Sequence, residues 1–575
     1  MRGMSRRQFV SRMSAAAAGA ALWTASAHDR AMALTAARAV RIGGTTLEQV
    51  AAPTGSGQYK RLAAGPGWPL VVRGDLATAA AGRDDRRTGV AAFVQFTDLH
   101  LVDTESPLRF EYLARYLDSA HRPHETLTAR GASALVERVN ALRSGPYTGL
   151  PFGLVMATGD NTDNHELVEL DWYLTVMSGG RITPSSGDPT RYEGVQNSGN
   201  SLYWNPESSS QDVYKAKGFP QMPGFLAGAG RAFTAPGLTV PWYSTVGNHD
   251  DSIEGSLPDL GLLGDLYTGD LKLEGCDDAT AAKLAGAVQH DPAAAVAMLA
   301  RLLTTGGAVR RVTPDTRRRP FTPAEYAKAH LDPAYTGPGP VGHGYTRDSV
   351  SSGHLYYAFP LAEGVLGISL DTTNRAGFAD GSLGTTQLNW LESVLKAHSG
   401  HWYDNDGKVV RGSGGDSLIV VFSHHTSATM GNLLPDPYHP FEARHDGNAL
   451  VSLLQRYPNV LAWVNGHTHQ NQIIGHGHAV PERAFWEINT ASHIDYPQHA
   501  RIIEIADNGD GTLSLFTTLI ESAAPYATDF TDTSDTGLAA LYRELSYNDP
   551  YATPAARIGS SGDHNTELLL TRPGR

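Results

Sequence analysis

The chain is punctuated by short apolar, β-rich runs, and most of them stop at a small polar cluster. Residues 91–97 run into Asp98 and His100, and residues 152–158 into Gly159 and Asp160. Residues 241–246 lead to Gly247, Asn248, His249 and Asp250, residues 418–422 to His424 and His425, and residues 460–464 to Gly466, His467 and His469. Runs of this length bounded by turn formers read as buried strands, as does 365–370. Between them lie helical patterns. In 128–143, Leu135, Val136, Val139 and Leu142 share one face, and in 387–397 so do Leu388, Leu391 and Leu395. Strands alternating with helices predict an α/β sheet. Strands at 485–489, 502–505 and 513–520 follow without long helices, so a more antiparallel part is expected to close it.

In open α/β sheets ligands bind beyond the carboxyl ends of the strands. Clusters that all sit just past a strand therefore converge on one crevice, as a metal site requires. Carboxylate and amide oxygens with imidazole nitrogens suit Mn, Fe, Zn or Co. Cys276 is the only cysteine, so neither an intrachain disulfide nor a thiolate cluster can form. Two divalent metal ions need about eight protein contacts, and Asp98, His100, Asp160, Asn248, His424, His467 and His469 supply them if Asp160 bridges ions roughly 3.5–4 Å apart. One Asp-x-His or Gly-His-x-His alone would say little; five such blocks in order say more.

Those blocks resemble the calcineurin-like metallophosphoesterase superfamily over residues 90–520, closest to an actinobacterial, twin-arginine-exported branch. The resemblance implies an α/β fold of two packed mixed β-sheets flanked by helices, a metallophosphoesterase-type sandwich with long loop insertions. It assigns Asp98, His100, Asp160 and His469 to one metal, and Asp160, Asn248, His424 and His467 to the other. A water acidified between the cations would attack phosphorus, with catalytic His249 protonating the leaving oxygen; Asp250 either orients that ring or, as is equally open for Asp163, serves turn and supporting hydrogen bonds. His425 adjoins His424, and neighbours on an extended segment point opposite ways, so one of the two should face the metals; the family position favours His424. Purple acid phosphatases of the superfamily carry a tyrosine ligand three residues after the bridging aspartate. Asp163 stands there, so an iron–tyrosinate chromophore is not expected.

Ser5-Arg6-Arg7-Gln8-Phe9-Val10 and the Ala-rich run behind it resemble a twin-arginine signal over 1–33, making the protein exported and the export machinery a partner. Nothing later offers the roughly 20 uninterrupted apolar residues of a membrane span. The expected organisation continues with an N-terminal extension at 34–87, a catalytic domain at 88–523 with insertions near 165–239 and 251–344, and a C-terminal tail at 524–575. Gly, Pro, Ser and Asn are frequent in the insertions, which are expected to overhang the crevice as a lid. Tyr192, Tyr203, Trp204 and His343 within them are read as structural before functional, and His476, His478, His493 and Asp495 as structural or as supports behind the ligands. The formal charge of −13 becomes −13 − 4 = −17 when residues 1–33, with five Arg and one Asp, are removed. That acidity disfavours nucleic acid and a nuclease, leaving a small phosphate ester as the expected substrate. A non-catalytic metal-binding scaffold is the other alternative, disfavoured by the intact ligand set and His249.

Overall fold

The computed structural model describes residues 43–574 except 79, 260 and 262; the twin-arginine segment lies outside them. Two mixed sheets dominate. In chain order their strands are β1 (Val71–Arg73), β2 (Thr88–Phe96), β3 (Val155–Thr158), β4 (Trp242–Thr245), β5 (Tyr357–Ala362), β6 (Val365–Ser369) and β7 (Leu418–Phe422). After these come β8 (Val460–Asn465), β9 (Gln472–His476), β10 (Phe485–Asn489), β11 (Ala500–Asp507), β12 (Thr512–Ile520) and β13 (Thr566–Thr571). The seven-stranded sheet has the order β1-β13-β12-β11-β2-β3-β4, and the six-stranded sheet β5-β6-β7-β8-β10-β9. Within them β2-β3-β4 and β6-β7-β8-β10 are parallel. The expected antiparallel closure is β11 on β2 and β12 on β11.

The sheets pack face to face. Residues alternate across a strand: in β7, Val420 and Phe422 enter the core shared by both sheets, while Ile419 and Val421 face outward. Phe422 meets Phe93 of β2 across the interface, ring centroids 5.7 Å apart. Helices α1 (Thr128–Leu142) and α2 (Leu167–Ser178) pack on the seven-stranded sheet through Leu135, Val136, Val139 and Tyr173. In the 251–344 insertion, α3 (Asp278–His290) and α4 (Pro292–Thr304) build a separate cluster with Leu108, Phe110 and Leu113. Two further helices, α5 (Thr385–Ala397) and α6 (Gly447–Leu454), cover the six-stranded sheet. Among the described residues no helix is long and apolar enough to cross a membrane.

Both segments set apart by sequence as extension and tail belong to the first sheet. Strand β13 pairs antiparallel with β12, and β1 pairs parallel with β13. The buried Arg83–Glu567 pair, 2.7 Å apart, ties the same two segments together. Helix α7 (Asp535–Tyr547) inserts Leu538, Leu541 and Tyr542 against Trp204 and Phe225 of the first insertion. Tyr203 and Trp204 are buried, and His343 stacks on Trp242 with ring centroids 3.4 Å apart, so these three serve packing.

Candidate metal centre

The parallel strands β2, β3, β4, β7 and β8 end side by side, and the polar clusters meet there. Asp98, His100, Asp160, His467 and His469 are all held at positive φ, between 42° and 70°. Non-glycine residues seldom adopt this left-handed conformation, and such strain collects at functional sites. The glycines of the motifs allow the blocks to touch. A Cβ on Gly247 would strike the Asp160 carboxylate, and one on Gly466 would strike Thr97 and Asp98. Backbone amides lock the blocks together: His249 N donates to Asp160 Oδ1 at 2.8 Å, and His467 N to Asp98 at 3.2 Å.

Asp98, His100, Asp160 and His469 offer ligand atoms within 4.8 Å of one another. His469 Nε2 lies 3.2 Å from Asp98 Oδ1. Asp160 Oδ2 is 3.6 Å from His100 Nε2 and 3.1 Å from His424 Nε2, so one carboxylate oxygen sits between imidazoles of both expected ion positions. His467 Nδ1 is a further 3.2 Å from His424 Nε2. Burial opposes charge on His424, but Asp160 and Asp98 outweigh it and raise its pKa to about 9. His469 is likewise raised to about 9, burial being overcome by Asp98 and Asp495.

Two atoms test whether cations fit. His100 Nε2 and Asn248 Oδ1 are buried without a hydrogen-bond partner. Leaving such an atom unsatisfied costs about 1–3 kcal/mol, and each belongs to a residue expected to ligate. A cation at each position would satisfy both.

The supports behind the two positions differ. His100 Nδ1 lies 3.0 Å from Asp163 Oδ1, and Arg109 binds the same carboxylate. His469 Nδ1 lies 2.5 Å from Asp495 Oδ2, and Arg122 donates to Asp495 at 2.8 Å. Glu125 joins the two arginines, 3.2 Å from Arg109 and accepting from the Arg122 amide at 2.9 Å. The result is a closed, buried chain of charges behind one ion position. Behind the other, His424 Nδ1 meets only the Thr158 carbonyl at 2.9 Å, and Asn248 Nδ2 donates to the Gly255 carbonyl at 3.0 Å.

His249 joins the cluster, its ring centroid 4.5 Å from that of His100. Its Nδ1 donates to the Asp163 carbonyl at 2.6 Å. Asp250 serves the turn instead of that ring: it accepts from the amides of Thr162 at 2.9 Å, Gly247 at 2.9 Å and Asn161 at 3.1 Å. It staples two site loops; a side chain one residue along a tight turn cannot fold back onto its neighbour's ring. His425 lies near the cluster, ring 4.5 Å from His467, but both nitrogens are engaged, by Thr372 Oγ1 at 2.8 Å and the Ala379 carbonyl at 2.9 Å. Sequence reading missed Arg109, Arg122 and Glu125 altogether. Asp495 lies within the flagged His493-Ile-Asp495 segment, but nothing local marks it as the partner of His469.

No protein-family model matches the chain, and no curated protein does. Solved structures do overlap it, two of them as follows. A dimetal phosphatase from Danio rerio shares 11% identity at a TM-score of 0.34, over 76% of this chain and 99% of its own. A purple acid phosphatase from yellow lupin (Lupinus luteus) seeds shares 10% identity at a TM-score of 0.27, over 78% of this chain and 52% of its own. Both overlaps are too loose to carry a function from one chain to the other.

Proposed function

We propose that the protein is an exported, dinuclear-metal hydrolase of phosphate mono- or diesters. The observation that carries this is the Asp160 carboxylate placed between two buried histidine clusters, with His100 Nε2 and Asn248 Oδ1 unpartnered beside it. Two divalent cations there supply the charge that neutralises phosphoryl oxygens and acidifies an attacking water. Asp98, His100, Asp160 and His469 would hold one, and Asp160, Asn248, His424 and His467 the other.

His249 is the proton donor. With Nδ1 committed to the Asp163 carbonyl, Nε2 is the nitrogen left for substrate. Burial holds the ring's pKa down to about 4, against the pull of Asp160 and with the push of His100. The ring is therefore neutral in the metal-free protein; as acid it would take a proton from solvent onto Nε2 when the phosphoryl anion arrives and pass that proton to the leaving oxygen. Export rests on the twin-arginine segment, and culture fractionation of an Arg6→Lys, Arg7→Lys variant checks it.

The decisive experiment strips the protein of metal, restores Mn, Fe, Zn or Co stepwise, and assays aryl phosphate monoesters and diesters. Hydrolysis should vanish and return as the second equivalent binds. Two bound equivalents with no turnover on any ester would make the protein the scaffold and not the enzyme.

A further inference from the structure

A cavity of about 590 Å3 is walled by residues whose contacts lead, along three lines, to histidines of the metal centre. The first is Glu254–Ser256: a Cβ on Gly255 would strike the His249 ring, so this backbone lies directly against the proposed acid. The second is Phe378–Asp380, where the Ala379 carbonyl meets His425 Nε2 at 2.9 Å and the His425 ring lies 4.5 Å from that of His467. The third holds Asp118, which pairs with Arg557 at 3.1 Å; Arg557 lies 2.9 Å from Asp495, the partner of His469. Chains of contacts thus link three walls of the cavity to His249, His467 and His469, the first directly and the others through His425 and through Arg557 and Asp495.

Its lining excludes one kind of leaving group and suits another. No lysine or arginine lines it, while Asp118, Glu254 and Asp380 do. Arg557 pairs with Asp118, and Glu254 faces Arg109, with burial, only partly offset by that arginine, raising its pKa well above the usual carboxylate range. Asp380 is left as the exposed anion. Phe110, Tyr116, Leu117, Val288 and Phe378 make the rest largely apolar. Two wall residues are also strained: Glu254 has φ 43° and Phe378 φ 69°. For a bulky aromatic this is an outlier, maintained here by a 2.6 Å hydrogen bond from Phe378 N to the Ser256 carbonyl. Just past Asn432 of the rim, Leu433 and Leu434 are 54% and 47% exposed and carry apolar surface outward.

We infer that this cavity receives the leaving group, and that the substrate class is phosphate esters of apolar, ring-bearing alcohols, with anionic leaving groups excluded. The inference rests on the phosphohydrolase reading above. Phe378 and its neighbours bury the ring, while Asp380 repels a second phosphate or carboxylate in a pocket that no lysine or arginine lines. Phe378 and Asp380 are specificity-determining residues that contact the leaving group and leave the ions alone.

Three alkyl phosphates of similar leaving-group basicity test it: 2-phenylethyl phosphate, ethyl phosphate and phosphorylated 3-hydroxypropionate. The phenyl ester should exceed the ethyl ester in kcat/KM by about 10–200-fold, the range expected of an apolar pocket. The carboxylate ester should be the poorest. Phe378→Ala should erase the phenyl preference mainly through KM, and Asp380→Lys should raise the carboxylate ester specifically. Calorimetry with 2-phenylethylphosphonate and ethylphosphonate on the metal-loaded protein reads the pocket without turnover. If no ester is hydrolysed yet the phenyl phosphonate binds tighter and loses that advantage in Phe378→Ala, the hydrolase reading fails and the pocket stands. Equal binding of the two phosphonates, or a Phe378→Ala effect equal on both, overturns the pocket.

Discussion

The two proposed ion positions share Asp160 and differ in almost everything behind it. At the first, both histidines lean on carboxylates that two buried arginines and Glu125 hold in place. At the second, His424 leans on a backbone carbonyl and Asn248 contributes a neutral amide. A carboxylate behind an imidazole makes it a stronger electron donor and fixes its orientation, worth about 10–100-fold in metal affinity when removed. The first position should therefore bind its cation more tightly and exchange it more slowly, and the second should load last and empty first.

The largest effect should come from the residue the two positions share. Asp160→Ala is expected to prevent the paired centre and reduce hydrolysis to background with little loss of fold. Two equivalents of metal by elemental analysis, with activity kept, would show that the positions do not depend on a common carboxylate. Next comes His249→Ala, which should keep both ions yet slow alkyl esters by about 10²–10⁴-fold while esters of acidic phenols suffer much less. Loss of one ion would instead make His249 a ligand and redraw the second position.

Asp495→Asn addresses the asymmetry directly. It should weaken the first position by about 10–100-fold and leave the second unchanged, read as a reversal or merging of the two steps in a metal titration. Equal weakening at both would erase the difference drawn between them. The smallest effect concerns pH. Asp549 is buried near the first position's frame; burial, partly offset by the Tyr551 amide and reinforced by Asp495, raises its pKa from 3.8 to about 7. A carboxyl raised on folding contributes stability fully present below its unfolded pKa and lost as pH rises through the folded one. Thermal melting of the metal-free protein should thus decline between about pH 4 and 7, and Asp549→Asn should flatten that decline. An unchanged slope would remove Asp549 from the account.

The sheet strands and the proposed ligands were readable because each is announced locally, by an apolar run and by a glycine with ligand types just after it. Strands β7 and β10 fall at 418–422 and 485–489, where the apolar runs put them, and helix α1 stops at Leu142, one residue short of the expected end. The frame behind the first position was not readable. Arg122 and Asp495 are 373 residues apart, and nothing near either says that they pair. Asp250 stood open between two roles: adjacency in the Gly-Asn-His-Asp block suggested a contact with His249, while a turn residue would bind backbone amides, and its bonds go to those of Asn161, Thr162 and Gly247. Strands β1 and β13 escaped because strands of three and six residues that pair with distant partners show too little of their alternating pattern to stand out.

That last pairing has a temporal consequence. Val71 sits beside Thr566, so the seven-stranded sheet is clasped by residues that synthesis makes 566 − 71 = 495 positions apart. At roughly 5–20 residues per second, the early strand must wait on the order of half a minute or more for its neighbour to emerge. Until then β12, which later takes β13 along one edge, shows that edge unpaired, open to a chaperone or to another chain's strand. Removing β13 would make that passing exposure permanent, so damage confined to that strand should surface first as clumping of newly made chains and only afterwards as lost chemistry.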